Sequence, residues 1–441
     1  MSAAKAQAPF ASPPGSAADA GAAMHRLIAE LYPTLRSITG DGVRQTLKRL
    51  GDFLPLTLHE IPSGTRVFDW TVPREWNVRE AWIADPTGKR VVDLAASSLH
   101  VVGYSVPVRQ SLNLAELRPH LHSLPQAPDR IPYRTSYYKE DWGFCLSDSV
   151  LRSLPEGRYE ICIDATLADG HLTIGECVLP GRSWEEVVIS SHACHPSLAN
   201  DNLSGVAVNV WLALALAAKP RRFTYRFLFA PGTIGAITWL ALNAPRLPRI
   251  RHGLVLAGVG DRGAPTWKRT RRGTSDLDRA MLHVLGQSGQ PFNVMEFTPL
   301  GYDERQFNAP GLGLEVGCLT RTPWGTYDEY HTSADNLAFV TPESLADSWT
   351  VALATLLLLE RNQRWRNTNP TCEPQLGRRG LYATLGGRGD TGGREKDMLW
   401  ILGLSDGTRT LLDIAEQSGA PFARLAEVAD LLAEHGLLVP A

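Results

Sequence analysis

The sequence predicts an α/β fold: a mostly parallel sheet flanked by helices, with a small β domain inserted into it and a separate helical module at the C-terminus. Three observations carry this. From Glu185 onward, short β-branched runs alternate with helix-length apolar segments, the pattern of a parallel sheet covered on both faces. Residues 55 to about 180 instead hold short strand-like runs separated by turn signals such as Pro-Thr-Gly and Ala-Asp-Gly, which reads as a compact β domain. Residues 24–54 carry two apolar helical faces (Leu27, Ile28, Leu31; Leu47, Leu50) whose obvious partner is the later sheet, so the β region is an insertion.

The elements follow in order. Residues 1–22 are rich in Ala, Pro and Ser, with only Lys5 ahead of Met24 and no apolar core of a signal peptide, so a disordered tail is expected. The segment 38–42, Ile-Thr-Gly-Asp-Gly, separates the two helices of 24–54. The runs TRVFDWTV, EAWIADP, RVVDLAA, LHVVGYSVPV and RYEICIDATLADGHLTIGECVLP are the strand candidates of the inserted domain, and SLPQAPDRIPYRT, with three prolines, is a loop. The α/β part continues with strands at 187–192, 222–231, 252–261, 292–299 and 312–321. Its helices are expected at 203–218, 233–242, 277–289 and 342–362. Residues 363–397 are polar and rich in Gly and Arg, a linker. The last segment runs helix, turn, helix and a short Leu-rich end, which resembles a winged helix. The expected domains are therefore 1–22 tail, 23–60 with 181–370 the α/β domain, 61–180 the nested β domain and 380–441 the winged-helix-like domain.

Composition narrows the function. A formal net charge of −2 over 441 residues recruits neither nucleic acid nor an anionic membrane. The C-terminal module has more acidic than basic residues, so it reads as a packing or protein-contact module and not a DNA reader. The longest apolar helical run, Val206 to Ala218, contains Asn209 and is too short to span a bilayer. The 6 cysteines are scattered without a CxxC pair, as in a cytoplasmic protein with reduced thiols. The expected partner is a small-molecule or peptide substrate; a homo-oligomer stays open.

Two segments carry chemistry. In VVISSHACHPSLANDNLSG (187–205) a buried strand runs into a loop holding His192, Cys194, His195 and Asp201, followed by a helix. Open α/β sheets build their sites at these carboxyl ends of strands, and a neutral imidazole and a carboxylate can converge there on one zinc ion. The bland alternative is a polar loop whose histidines are satisfied by neighbours. In GYDERQFNAPGLGLEVGCLTRTPWGTYDEYHTSADN (301–336) a strand separates Asp303, Glu304 and Arg305 from Asp328, Glu329, His331 and Asp335, so both acidic clusters can reach the same sheet edge.

The motifs HACHPSLANDNLSG, GYDERQF and EYHTSADN resemble the zinc aminopeptidase and glutaminyl-peptide cyclase clan. Within it, the chain is most similar to a bacterial branch often found beside polysaccharide or secondary-metabolite genes, with a nested β domain (FDWTVPREWNVREAWI, 68–83) and a C-terminal winged helix. The resemblance implies an aminopeptidase-like fold over nearly the whole chain. It also implies a metal site of His192, Asp201 and His331, with His195 the competitor of His192. Where the clan has a His-x-Asp, this chain has Cys194 in place of the Asp. Where the clan has two adjacent Glu after the next strand, it reads Ala230-Pro231-Gly232-Thr233, and the clan's later acidic ligand falls near Ala257, four residues before Asp261. The expectation is therefore one zinc ion, not two, with Glu304 as general base and Asp303 beside it. Arg305 and Arg321 are the candidates to hold a substrate carboxylate, and Tyr330 lies beside His331. The function implied is zinc-dependent hydrolysis of an amide or peptide bond in a small or N-terminal substrate. Two alternatives are a non-catalytic binding protein on the same fold and an acyl or peptidyl transferase of the cyclase type.

Overall fold

A computed structural model describes residues 15–381 and 391–441. The Gly/Arg-rich run at 386–393 and the beginning of the expected tail lie mostly outside the described residues. The rest of that tail is not a tail: helix α1 spans Ala17–Leu31, capped by the Ser16 side chain on the Asp19 N–H, and buries Ala20 and Met24. Helix α2 spans Asp41–Leu50.

The chain divides into two units. The first holds the residues up to Ser275 together with Pro291–Thr350. Its frame is an eight-stranded sheet of β1 (Thr57–Pro62), β2 (His171–Leu179), β3 (Glu186–His192), β4 (Thr224–Ala230), β5 (Ile250–Leu256), β6 (Thr266–Lys268), β7 (Asn293–Met295) and β8 (Val316–Thr320). The spatial order is β1-β2-β4-β3-β5-β8-β6-β7. The four central strands β4, β3, β5 and β8 are parallel, and antiparallel pairings join β2 and β6 to them. β3 is buried at every position because it lies mid-sheet with helices over it, as its unbroken apolar start Val187, Val188, Ile189 requires. Helix α3 (Gly205–Ala217) is apolar all round and buried through Leu216, since α1 packs on its far side. Gly205 is required here: a Cβ would stand 2.3 Å from the Leu256 carbonyl oxygen. α2 packs on β2, where Leu47 touches Gly175. Of the two helices of the N-terminal segment, α2 thus lies against the sheet, and α1 lies on α3.

The inserted domain is shorter than 61–180. β2 belongs to the main sheet, paired on both sides and buried on both faces, so the insertion runs between β1 and β2. It contains a four-stranded antiparallel sheet in the order Arg90–Asp93, Glu75–Ala84, Arg158–Ala168, Val108–Asn113. Its anchor is Trp76, whose Nε1 donates to the Ser105 carbonyl at 2.9 Å and whose ring stacks on Tyr104.

The second unit comprises Asp276–Gln290 and Val351–Ala441. Helix Asp276–Gln287, assigned from sequence to the α/β domain, belongs to it: Arg279 pairs with Asp413 and Glu416 at 2.5 Å each. The segment expected as a linker contributes a strand, Arg364–Asn367, at the centre of a three-stranded sheet with Asp406–Thr410 and Leu438–Pro440. Helices Thr391–Leu404, Leu411–Ser418 and Phe422–Glu434 complete the unit. The winged module therefore starts earlier than residue 380. Among the described residues, no helix is long and apolar enough to cross a membrane.

Candidate metal centre

The site lies at the carboxyl ends of the parallel strands. β3 ends at His192, and the chain then turns through residues 193–198 before an irregular helical turn, Ala199–Ser204, delivers Asp201 and leads into α3. Asp201 is fully buried. One of its oxygens, Oδ1, lies 2.7 Å from His192 Nε2 and 3.7 Å from His195 Nδ1; the other, Oδ2, lies 3.0 Å from His331 Nε2. The sequence-expected trio of His192, Asp201 and His331 is thus brought together, with His195 added to it.

The support around Asp201 is dense. Asp335 accepts the N–H groups of Asn200 at 2.6 Å and Asp201 at 2.9 Å on its two oxygens. Asn200 donates to Asp261, which also accepts from the Thr322 hydroxyl and the Gly263 N–H. Asp261, the nearest carboxylate to Ala257 in sequence, is thereby a bracket for the loops and not a member of the histidine cluster. Asn202 takes the N–H groups of Gly205 and Gly258 and donates to the Leu256 carbonyl, tying the turn to the end of β5. Arg36, 1% exposed, donates to the His195 and Leu31 carbonyls at 2.9 and 2.6 Å. Thr233 and His331 hold left-handed backbone at φ 61° and 52°. Non-glycine residues enter that region at a cost of about 1–3 kcal/mol each, an expense usually seen at functional sites.

Charge follows from this packing. Burial disfavours the Asp201 carboxylate, yet the imidazoles around it, with His192 and His331 in hydrogen-bond contact, outweigh burial and hold its pKa well below the carboxylate range. Burial opposes a charge on His192 too, but the contact with Asp201 raises its pKa. His195 has only a more distant carboxylate, and burial pushes it down to about 3, so it is neutral. Asp303 is raised by burial, and Asp335 is raised by burial to about 7.

The donor set fits a zinc ion. Ligand-type atoms of His192, His195 and Asp201 lie within 4.8 Å of one another, and imidazoles with one carboxylate are zinc's usual ligands. His195 Nδ1 is buried without a hydrogen-bond partner and lies 3.7 Å from Asp201 Oδ1. His192 Nδ1 faces the Asn202 amide nitrogen at 3.4 Å, and with that NH2 donating, the imidazole proton lies on Nε2 toward Asp201.

The remaining sequence candidates separate. Asp303 is buried and its Oδ1 accepts the Thr233 N–H at 2.7 Å, so it lies at the loop after β4, the segment without carboxylates of its own. Glu304, expected as the base, is instead committed to a buried pair with Lys268 at 2.7 Å. Arg305 is half-buried beside Thr233, and its Nε is without a partner. Tyr330 stacks on His331 with centroids 4.0 Å apart. Arg321 does not reach the site: it is buried, pairs with Asp347 at 2.6 Å and donates to the Gly263 carbonyl, and so ties β8 to the helix Pro342–Arg361.

Aromatic residues complete the walls. Tyr302 stacks on His192, and its hydroxyl is buried without a partner. Tyr133 of the inserted domain stands edge-on to both His195 and His331 at 5.1 Å. It comes from the proline-rich segment read as a plain loop. That segment pairs with the His331 loop through Tyr133 N–H to the His331 carbonyl and through Ser333 N–H to the Ile131 carbonyl. No periodicity marks Tyr133; the only hint for Tyr302 was its place beside Asp303.

Comparison with known proteins places this architecture. The family described as a domain of unknown function, DUF4910, matches residues 25–362, and a winged helix-turn-helix family matches residues 363–440. The chain belongs to the DUF4910 family. A relative from Clostridium acetobutylicum is 47% identical over 423 residues, 96% of this chain and 97% of its own, and carries a provisional name, polysaccharide biosynthesis protein with aminopeptidase-like domain. A crystal structure from the same organism, provisionally titled a peptidase, matches with a TM-score of 0.91 at 46% identity over 96% of this chain and 97% of that one. A zinc aminopeptidase from Bacillus subtilis matches with a TM-score of 0.56 at 14% identity, over 78% of this chain and 95% of its own. The fold is thus aminopeptidase-like, a mostly parallel sheet flanked by helices, followed by a winged helix. The winged helix-turn-helix match begins at residue 363, in line with the strand Arg364–Asn367.

Proposed function

We propose that this chain is a metal-dependent hydrolase of an amide or peptide bond in a small or N-terminal substrate. The observation that carries it is the convergence of three imidazoles on the buried Asp201 at the carboxyl edge of an aminopeptidase-like sheet, with the Asp303 carboxyl on the Thr233 loop within electrostatic reach of His192. One zinc ion would be held by His192, Asp201 and a further histidine of the cluster. When bound, it supplies Lewis-acid polarisation of the amide carbonyl and makes a water acidic enough to attack it.

The chain's own groups do the rest. Asp303 takes the proton of the attacking water on its Oδ2 and returns it to the leaving amine; the Thr233 N–H fixes its other oxygen. Glu304, neutralised by Lys268, holds the short helix Glu304–Phe307 in place instead. Arg305 faces the same loop and is the candidate to orient a substrate carboxylate or carbonyl. Access is narrow: the side chains of His192 and His195 are 3% and 15% exposed, whereas His331 is 34% exposed. A substrate therefore arrives past His331, Tyr330 and the Tyr133 wall, which favours a terminus or a small amide over a chain interior.

The test is metal content together with cleavage. The purified protein should contain one zinc per chain, and the zinc-loaded protein should release amine from some member of a panel of aminoacyl amides and short peptides. Chelation should abolish release, and Asp303→Asn should abolish it with the zinc retained. Absence of bound metal in protein purified and reconstituted with zinc would defeat the reading. If the ion is bound but no amide is cleaved, the binding-protein reading gains, which the carboxylate-free segment Pro231–Thr233 favours. A product lighter than the substrate by ammonia or water would indicate cyclisation.

A further inference from the structure

We infer that His195, and not His331, completes the protein ligands of the ion, and that His331 is a positioning residue for Asp201. This rests on the metal-centre reading and assigns its ligands. The two oxygens of Asp201 are divided between the imidazoles: His192 and His195 face Oδ1, and His331 faces Oδ2. The set of ligand atoms lying mutually within 4.8 Å is His192, His195 and Asp201, and His331 stands outside it. Two donors bound at about 2.0–2.1 Å to one zinc ion lie within roughly 4 Å of each other, so the Oδ1 side needs only a small closing movement.

The surroundings agree. His195 Nδ1 is buried 3.7 Å from Oδ1 without a hydrogen-bond partner, on the same side as His192, whereas His331 Nε2 is hydrogen-bonded to the other oxygen, Oδ2. The His195 ring is aimed by packing, with its carbonyl held by buried Arg36 and its face against the Tyr133 edge, so no hydrogen bond need break for it to bind. His331 is at the rim, 34% exposed and stacked on Tyr330. Ligating carboxylates ordinarily have their second oxygen hydrogen-bonded, and the His331 Nε2–H at 3.0 Å supplies that bond here. Two imidazoles and one carboxylate then occupy one side of the ion and leave the side toward the rim open.

Zinc affinity by competition with a chromophoric chelator, and the visible spectrum of the cobalt(II)-loaded protein, test the assignment without a substrate. Wild type should bind one ion. His192→Ala and His195→Ala should lose at least about 100-fold in affinity together with the cobalt spectrum, more than the 10–100-fold typical of outer partners. His331→Ala should weaken binding by only about tenfold and keep the cobalt bands, and His331→Gln, whose amide N–H can replace the donor to Oδ2, should restore it. Far-UV circular dichroism of the metal-free variants controls for folding, and His195→Gln replaces His195→Ala if the latter does not fold. Loss of the ion in both His331 variants with retention in the His195 variants would overturn the inference alone. Failure of wild type to bind any ion would remove the functional reading as well.

Discussion

Asp335 offers the sharpest test of how Asp201 is held. It is fully buried, and its two oxygens accept the N–H groups of Asn200 at 2.6 Å and Asp201 at 2.9 Å. Asp335→Asn keeps the shape but turns one acceptor into an NH2 group facing an N–H. One hydrogen bond to a charged acceptor is lost, worth about 1.5–3 kcal/mol. If that strain falls on the orientation of Asp201, zinc affinity drops by about 10–100-fold, since about 1.4 kcal/mol is a factor of ten. Burial raises the Asp335 carboxyl to about 7, so the titration is run well above that pH, where the wild-type group is charged. Chelator competition measures the affinity, and urea unfolding of the metal-free protein measures stability. Wild-type zinc affinity in a variant whose metal-free stability has fallen by the full amount would show that Asp335 braces the loop and does not orient the ligand.

Three further outcomes are expected. Arg226 is buried between Glu176, 2.9 Å away, and Glu186, so Arg226→Met removes the buried cation the two carboxylates share, leaving only the more exposed Arg246 and His59 beside them, and should cost about 3–5 kcal/mol in denaturant unfolding; an unchanged midpoint would sink the argument. Arg36→Met leaves the His195 carbonyl without its donor and takes one of two donors from the Leu31 carbonyl, which keeps the Thr34 N–H, and should cost about 1–3 kcal/mol, with wild-type stability the contrary result. Burial holds His252 neutral in the fold, down to about 3. The unfolded chain binds a proton below about 6.5, so stability should fall as pH drops from there, by about 2 kcal/mol at pH 5. His252→Gln should remove that part of the slope, and a variant with the wild-type pH profile of melting would refute it.

Much of this molecule is legible along the chain because its strongest signals are local. A β-branched run followed by a small polar loop and an apolar helix makes β3, the His192 loop and α3, and these three segments are contiguous in sequence. The alternation of strands and helices after Glu185 reports a sheet covered on both faces, since only then are the strands apolar throughout. The same locality explains the misses. The proline-rich segment has no period, so nothing marked Tyr133 as a wall of the site; its partner, the His331 loop, is two hundred residues away. β2 looked like part of a β meander because strand patterns do not name their neighbours, and only the pairing with β1 and β4 puts it in the main sheet.

The chemistry divides in the same way. Residue types brought forward a loop of histidines and an aspartate at a strand end, and the resemblance to the zinc aminopeptidase clan picked His192, Asp201 and His331 from it and from the later loop. Which oxygen of Asp201 each histidine meets is a matter of angles set by Asp335, Asn202 and Arg36, and these come from other loops. Asp303 and Glu304 are adjacent in sequence, yet one faces the Thr233 loop and the other Lys268, because successive residues entering a helical turn point about 100° apart. Arg321 looked available as a free cation, and Asp347 on a later helix took it. Sequence by itself determined the central parallel strands, most of the helices beside them and the kinds of side chain at their carboxyl ends, since these depend on apolar period and residue type. Tertiary structure alone decided which groups face one another, since strand order and loop packing are properties of the whole chain.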